Sequence, residues 1–200
     1  MFNPNRAFFE DLTPAVTCSV ERPLIDRQRD IYDSHRHRIF SLAYYMIGNE
    51  AVAEETLGKT FLRAFQKTAE PDASAIDTSL MVELRHKMTF DRDVAPAQAS
   101  PKDSLHNGNV RRTDLEEAIG ELPEVERLAY LLKDVEGYST QAISALMAIP
   151  APQLLGILMS ARIRVRSMLA AKVALRNQQQ KELDEQNDSC ESSPGESAAA

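Results

Sequence analysis

Basic side chains without neighbouring acids mark the last third of the chain. Residues 151–176 contain no Asp or Glu. The cations in this stretch are Arg162, Arg164, Arg166, Lys172 and Arg176. Arg162 and Arg166 are four residues apart, so on a helix they share one face. Aligned cations can contact the phosphate oxygens of DNA, which supply much of the affinity of DNA-binding proteins. The pattern predicts a DNA contact; the alternative is a solvated face, or one paired with acids such as Glu124 and Glu126.

The same predicted helix is apolar on its outer face nearer the N-terminal end. Leu155 and Met159 share the stripe of Arg162 and Arg166, so this face changes from apolar to basic along the helix. A separate stripe, which we expect to be core, comprises Leu154, Leu158, Ala161, Val165 and Met168. The candidate DNA-contact residues of the helix are Gln153, Leu155, Met159, Arg162, Arg164 and Arg166.

Two shorter helices precede this one, at the spacing of a helix-turn-helix. The first begins at Leu122-Pro123 and repeats apolar residues at three- and four-residue intervals. Gly137 is suited to end it, because glycine readily adopts the left-handed conformation that closes many helices. Ser139 is a suitable N-cap for a second helix over 140–147, and residues 148–150 make the turn. In this motif the helix after the turn enters the major groove of DNA.

The rest of the chain also has helical patterns and no sustained strand-like alternation. Helices are expected over Leu24–Ile47, Ala51–Lys67 and Leu80–Arg92. We therefore predict an all-α protein of two small helical domains joined by a flexible linker. The predicted segments are a disordered extension at 1–23, a helical domain at 24–93, a linker at 94–113, a helix-turn-helix domain at 114–176 and a disordered acidic tail at 177–200.

Two stretches resemble extracytoplasmic-function sigma factors, the small bacterial initiation subunits of the sigma-70 family. Residues 122–169 resemble family region 4 and read LPEVERLAYLLKDVEGYSTQAISALMAIPAPQLLGILMSARIRVRSML. Residues 31–65 resemble family region 2 and read IYDSHRHRIFSLAYYMIGNEAVAEETLGKTFLRAF. The resemblance implies two helical domains, one binding the clamp of RNA polymerase and the melted promoter element, the other binding the upstream promoter element.

The chain departs from the family pattern at several contact positions. Leu155, Gly156 and Ile157 stand where family members usually carry Lys or Arg early in the recognition helix. In region 2, Gly58 and Lys59 replace a Gln and an acid. The chain has no Trp, although a Trp usually begins the family's promoter-melting helix. Leu80 lies near that position, and Lys87 replaces the usual Asn.

The resemblance also implies a polymerase-binding surface and a single-strand contact. The candidate polymerase-binding residues are Glu54, Glu55, Lys59 and Arg63. Arg85 and Lys87 are candidates for contacting the non-template strand if the third helix matches the melting region. The alternative for both sets is a solvated charged face, and single-strand capture normally adds aromatic stacking, for which Phe90 is the only nearby side chain.

No catalytic residues, metal site or cofactor site is expected. His35 and His37 are two residues apart, so on a helix they diverge and make a poor metal pair. The adjacent acids Glu54 and Glu55 also face different directions, which suits a solvated surface better than acid-base catalysis. No phosphate-binding loop or hydrolase motif occurs.

The composition favours a cytoplasmic protein. The formal net charge is −7, so cations confined to one helix, rather than the whole surface, would contact DNA. The two cysteines lie near opposite ends and are expected to be reduced thiols, and no secretion signal is apparent. Residues 137–161 lack charge and precede three arginines, as a membrane span would, but their prolines and polar side chains argue against one.

Three hypotheses follow. The first is a sigma factor that binds core polymerase and promoter DNA, with catalysis left to the polymerase and an anti-sigma factor as a possible regulator. The second is a degenerate sigma-like adaptor that binds an anti-sigma factor or another protein through the apolar ridge of Leu155 and Met159. The third is a helix-turn-helix regulator resembling the LuxR-type C-terminal domain, against which the region 2 match counts.

Overall fold

The computed structural model describes residues 23–91, 94–99 and 109–191, with side chains as far as residue 183. Its helices are α1 Leu24–Ile47, α2 Glu50–Lys67, α3 Ala73–Lys87, α4 Arg112–Gly120, α5 Glu124–Tyr130, a π-helical turn Leu131–Val135, α6 Thr140–Met147 and α7 Ala151–Glu191. None of the described ranges contains a strand, so the all-α prediction is confirmed. Residues 1–22, 100–108 and 192–200, parts of the expected extension, linker and tail, lie outside the described residues.

The first two helices form an antiparallel pair with a short, well-capped turn. Gly48 ends α1 with a φ of 75°, where a side chain would be strained. Asn49 then caps α2, because its side-chain oxygen accepts a hydrogen bond from the Val52 amide at 3.1 Å. The expected range of this helix, Leu24–Ile47, is therefore correct.

The third helix lies earlier in the chain than predicted. It spans Ala73–Lys87 rather than Leu80–Arg92, because the Asp72 side chain caps it by accepting from the Ala75 amide at 2.8 Å. Met88 is already extended and ends the helix. Leu80 consequently lies in the middle of α3 and is buried in the core, instead of starting a promoter-melting helix.

One continuous core joins the two halves, which we define as α1 to α3 and α4 to α7. Its buried members include Ile39, Leu42, Met46, Ile76 and Leu84 from the first half and Leu128, Leu131, Leu132, Ile143 and Leu154 from the second. A smaller cluster packs α4 on α7 through Ala118, Leu122, Ala161, Val165 and Leu169. The segment expected to be a flexible linker also touches this body, since the Ala97 amide donates to the Ser160 hydroxyl at 2.8 Å. The halves are thus packed together in this structure.

The last helix continues well past the domain boundary expected at Arg176. α7 has 41 residues and reaches Glu191, so residues 177–191, expected to belong to a disordered acidic tail, are helical. No Gly or Pro follows Gly156 within α7, and the Ala, Leu, Gln, Lys and Glu residues of this part favour helix. Arg176 also pairs with Asp114 at 2.5 Å, which holds α7 against α4. Composition alone was therefore a poor guide to this boundary.

Candidate nucleic-acid interface

The helix-turn-helix forms as its local sequence requires. The Ser139 hydroxyl caps α6 by accepting from the Ala142 amide at 3.1 Å. The turn then passes through Ala148, whose φ is 56°, and the Ser144 hydroxyl donates to the Ile149 carbonyl at 2.6 Å. α6 and α7 meet at 101°, within the range of DNA-binding helix pairs. α7 thus occupies the place of a recognition helix.

The outward face of α7 carries the stripe expected from the sequence. Leu155 and Met159 are 53% and 56% exposed, and Gln153, Arg162 and Arg166 are exposed with them. The core stripe, about a quarter-turn away, is buried as predicted at Leu154, Leu158, Ala161 and Val165. Met168, which was expected in the core, is only half-buried, and Leu169 is buried there instead. The four residues of this stripe, Leu155, Met159, Arg162 and Arg166, are called the α7 face below; Gln153 lies about half a turn away, in the lining shared with Val94 and Pro96.

Arg162 is held in place by an acid of the π-helical turn. Its Nε and Nη2 donate to the two carboxylate oxygens of Asp134 at 3.0 and 2.6 Å. This hydrogen-bonded pair raises the pKa of Arg162 above its ordinary value. The guanidinium remains substantially exposed, so the pair orients the cation without removing it from the surface.

Arg164 points inward and supports a buried acid. Its Nε lies 3.0 Å from Oε2 of Glu126, which is 2% exposed, and its Nη2 donates to the Ala95 carbonyl at 2.6 Å. The Ser160 hydroxyl donates to the other Glu126 oxygen at 2.8 Å. Buried charges normally need such partners. The geometry therefore gives Arg164 an internal contact, and its role at DNA stays a prediction.

Two of the candidate polymerase-binding residues, Glu55 and Lys59, form linked ion pairs with Lys87 of α3. Glu55 contacts Lys59 at 2.7 Å and Lys87 at 3.1 Å, so a residue expected at the clamp and one expected at DNA share a carboxylate. The bonds from Lys59 and then Lys87 lower the pKa of Glu55, and Glu55 raises the pKa of Lys59. Arg63 pairs with the buried Glu83 at 2.7 Å. Glu54 is exposed beside this group.

Arg85 reaches across to the helix-turn-helix. Its Nη2 lies 3.4 Å from the Leu146 carbonyl and 3.5 Å from the Met147 carbonyl, both in the last turn of α6. A cation at this position is stabilised by the negative end of the α6 helix dipole. In the packed structure the end of α3 therefore supports α6.

A polar network that was not foreseen joins the halves on another side. The Tyr138 hydroxyl donates to Asp77 at 2.6 Å, and Arg38 donates to Asp77 at 2.6 Å and to the Tyr138 oxygen. Burial, followed by the bond to Asp77, raises the pKa of Tyr138. Arg127 adds a contact between the halves by donating to the Met46 carbonyl at 2.8 Å. No local sequence signal predicts these contacts, whose partners are far apart in the chain.

The described residues contain neither a candidate metal site nor a single helix that could span a membrane. They contain no group of three or more His, Cys, Asp or Glu side chains placed to hold a metal. None of the described helices is by itself both long and apolar enough to cross a bilayer. α6 and α7 meet those requirements of length and composition only when taken together as a bent pair.

A family model for sigma-70, region 4, matches residues 112–152, which extend from α4 to the first turn of α7. The chain is also similar to the RNA polymerase sigma factor CarQ of Myxococcus xanthus. The two are 32% identical over 139 residues, which span 62% of this chain and 78% of CarQ.

A second relative is the ECF RNA polymerase sigma factor SigE of Mycolicibacterium smegmatis. It is 27% identical over 135 residues, spanning 60% of this chain and 52% of SigE, so the chain aligns with about half of that protein. Among solved structures, the sigma factor RpoE in complex with the anti-sigma factor NepR, from Bartonella quintana, has a TM-score of 0.53. At 17% identity, over 70% of this chain and 97% of that one, this match reports the fold.

Proposed function

This chain belongs to the extracytoplasmic-function RNA polymerase sigma factors, and we propose that it directs promoter-specific initiation of transcription. The observation that carries the proposal is the α7 face, an open apolar-to-basic stripe on the second helix of a helix-turn-helix within the region 4 half. Catalysis belongs to the polymerase in this proposal. The protein would act in the cytoplasm, where polymerase and promoter DNA are found.

The second half of the chain binds the upstream promoter element through the α7 face. Leu155 and Met159 can contact thymine methyl groups in the major groove, and Gln153, exposed in the first turn of α7, is a further candidate to hydrogen-bond base edges. Arg162 and Arg166 then contact phosphates and fix the helix along the groove. Arg164 contributes by holding α7 on Glu126, which is the internal contact seen in the structure.

The first half binds the polymerase clamp and the melted strand. The exposed Glu54, the Glu55–Lys59 pair and Arg63 lie along α2 and provide a charged surface for the clamp. Arg85 and Lys87, at the end of α3, contact the non-template strand. Because Arg85 contacts the last turn of α6, we also propose that the two halves move apart on the promoter and release this cation from α6.

Reconstitution with core polymerase tests the proposal. The purified chain should co-elute with core enzyme and direct transcripts from a subset of promoters in a genomic library. Lys59→Glu should weaken co-elution, since it reverses a charge on the clamp surface, whereas Lys67→Glu at the end of the same helix serves as a control. Failure of the unmodified chain both to co-elute and to direct any transcript would overturn the proposal.

A protein-binding adaptor is the second candidate. Besides Leu155 and Met159, Val135 of the π-helical turn is 55% exposed, so apolar surface occurs on both elements around Asp134 and Arg162. The structural neighbour RpoE was solved with an anti-sigma factor, and we propose a partner of that kind for this ridge. Affinity purification from the source cell distinguishes the candidates: polymerase subunits support the first, and an anti-sigma-like protein alone supports the second.

Leu155→Arg separates the two candidates directly. If α7 reads DNA, an added cation in its first turns should tighten promoter binding about tenfold, which is within the 1–3 kcal/mol range of one good contact. If the ridge binds protein, the charge should disrupt that contact and leave DNA affinity unchanged. Both affinities are measured on the same variant, with Leu183→Arg, at another exposed leucine of α7, as the control.

A further inference from the structure

A cavity of about 270 Å³ lies between the two halves of the molecule. Its walls come from α3 and the segment after it on one side, and from α5, α6 and the turn on the other. Met81, Met88, Leu128 and Met147 contribute apolar side chains to the lining, and Arg85 and Phe90 line it as well, so that the exposed lining is about equally apolar and polar. Apolar concave sites with one or two polar groups are the usual form of small-molecule sites.

We propose that this cavity binds a small apolar molecule carrying one carboxylate. Arg85, the cation among the lining residues, is the reason for proposing a carboxylate. The contacts that the structure shows for Arg85 are the long approaches to two main-chain carbonyls, and no carboxylate of the described residues pairs with it. Its guanidinium therefore keeps donors for an anion, and a carboxylate matches its planar geometry with two parallel bonds.

The walls suit an occupant of variable shape. Three of the lining side chains are methionines, whose flexible thioethers adapt to different apolar ligands. Phe90 has a φ of 45°, an unusual conformation for a non-glycine residue, and Glu124 fixes it by accepting from the Thr89 and Phe90 amides, each at 3.0 Å. Such backbone strain is concentrated at functional sites.

Binding here would stabilise the packed arrangement of the halves. An occupant contacts α3 on one side and α5 and α6 on the other, so it favours the state in which these walls are together. It would also hold Arg85 away from DNA. The inference concerns the isolated chain and does not depend on the proposed function, because binding is measured without polymerase or promoter.

Octanoate is the probe, and octanol and octylammonium are the matched ligands without a negative charge. Titration calorimetry should show octanoate binding at least about tenfold more tightly than either, since hydrogen bonds to charged groups exceed neutral ones by that amount or more. Octanoate should also raise the melting temperature of the unmodified chain. Equal binding of octanol and octanoate would overturn the carboxylate assignment, and no binding of octanoate at millimolar concentration would overturn the site.

Variants localise the site. Arg85→Met, which keeps a flexible unbranched side chain and loses the charge, should weaken octanoate binding about tenfold, and Arg85→Lys, which keeps the charge but not the two parallel bonds, should restore part of it. Arg36→Met, an exposed position on α1, is the matched control. Met88→Trp should block binding by filling the cavity while leaving Arg85 in place. Each variant is first checked for a cooperative melt; unchanged octanoate affinity in folded Arg85→Met and Met88→Trp would overturn the proposal.

Discussion

The end of α3 and the outward face of α7 carry similar cations in different surroundings. At the end of α3, Arg85 lies against the carbonyls that end α6, and Lys87 is paired with Glu55. On α7, Arg162 is paired but still exposed, and it shares an open stripe with Leu155 and Met159. Residues of both regions are exposed, so exposure alone does not separate them. The difference lies in what the cations contact: at the end of α3 they contact α6 and Glu55, whereas on α7 they continue an exposed apolar stripe.

The largest expected effect comes from placing a charge in the core beneath α6. Ile143→Asp buries an unpaired carboxylate at a fully buried position and should destabilise the protein by about 3–5 kcal/mol. Because Ile143 belongs to the core that joins the halves, both should lose protection together in hydrogen exchange. Ala145→Asp, on the exposed side of α6, is the control. If α1 to α3 stay fully protected while α6 unfolds, the two halves fold independently, and the shared core does not hold the end of α3 against α6.

Arg164 and Arg162 provide the next test, since they lie on the same helix and face different ways. Arg164→Met leaves the carboxylate of Glu126 buried without its cation and should cost about 3 kcal/mol in urea unfolding. Arg162→Met removes an exposed pair and should cost less than about 1 kcal/mol. The double variant Arg164→Met, Glu126→Gln should recover part of the loss. Equal costs for the two single variants would contradict the inward assignment of Arg164.

A smaller effect, on DNA rather than on stability, is expected from the α7 face. Replacing Arg162 and Arg166 with Ala should weaken binding to all sequences. The slope of log affinity against log salt should fall by about 2, roughly one unit for each lost phosphate contact. Lys67→Ala, at the end of α2, is the control. A slope that does not change would remove both arginines from the interface and leave the α3 end as the better candidate.

The smallest effect concerns the pH dependence of the contact between the halves. The pKa of Tyr138 is raised in the folded chain by burial and by Asp77, so its phenol stays neutral where the unfolded chain ionises, above about pH 10. The folded state then binds the additional proton, and its stability falls as pH rises past that value. Tyr138→Phe should reduce this decline, measured as urea midpoints between pH 9 and pH 11. A decline of the same steepness in the variant would show that Tyr138 ionises as easily in the folded chain.

Periodicity and capping predicted α5, α6 and the start of α7, but neither α4 nor the end of α7. The Ser139 cap, the buried stripe from Leu154 to Val165 and the exposure of Leu155 and Met159 all depend on residues within a few positions of one another. Such local features are visible in the sequence. The resemblance to the sigma family, inferred from the same stretch, is confirmed by the relatives.

Longer-range contacts were not visible in the sequence. The start of α3 was missed because its cap, Asp72, precedes a run of small and polar residues in which only Ile76 signals the core. Arg164 and Glu126 are 38 positions apart, and Tyr138 and Arg38 are 100 apart, so tertiary packing alone pairs them. Which cations face solvent therefore depended on the fold, and the roles assigned to individual contact residues remain predictions.

The uninterrupted length of α7 has a mechanical consequence. At about 1.5 Å per residue, its 41 residues form a rod of roughly 60 Å with no Gly or Pro after Gly156 to act as a hinge. The end of α7 that we propose to contact DNA and its far end therefore belong to one rigid rod. A partner bound to the distal third would turn the proposed DNA-contacting turns with it, without touching DNA itself.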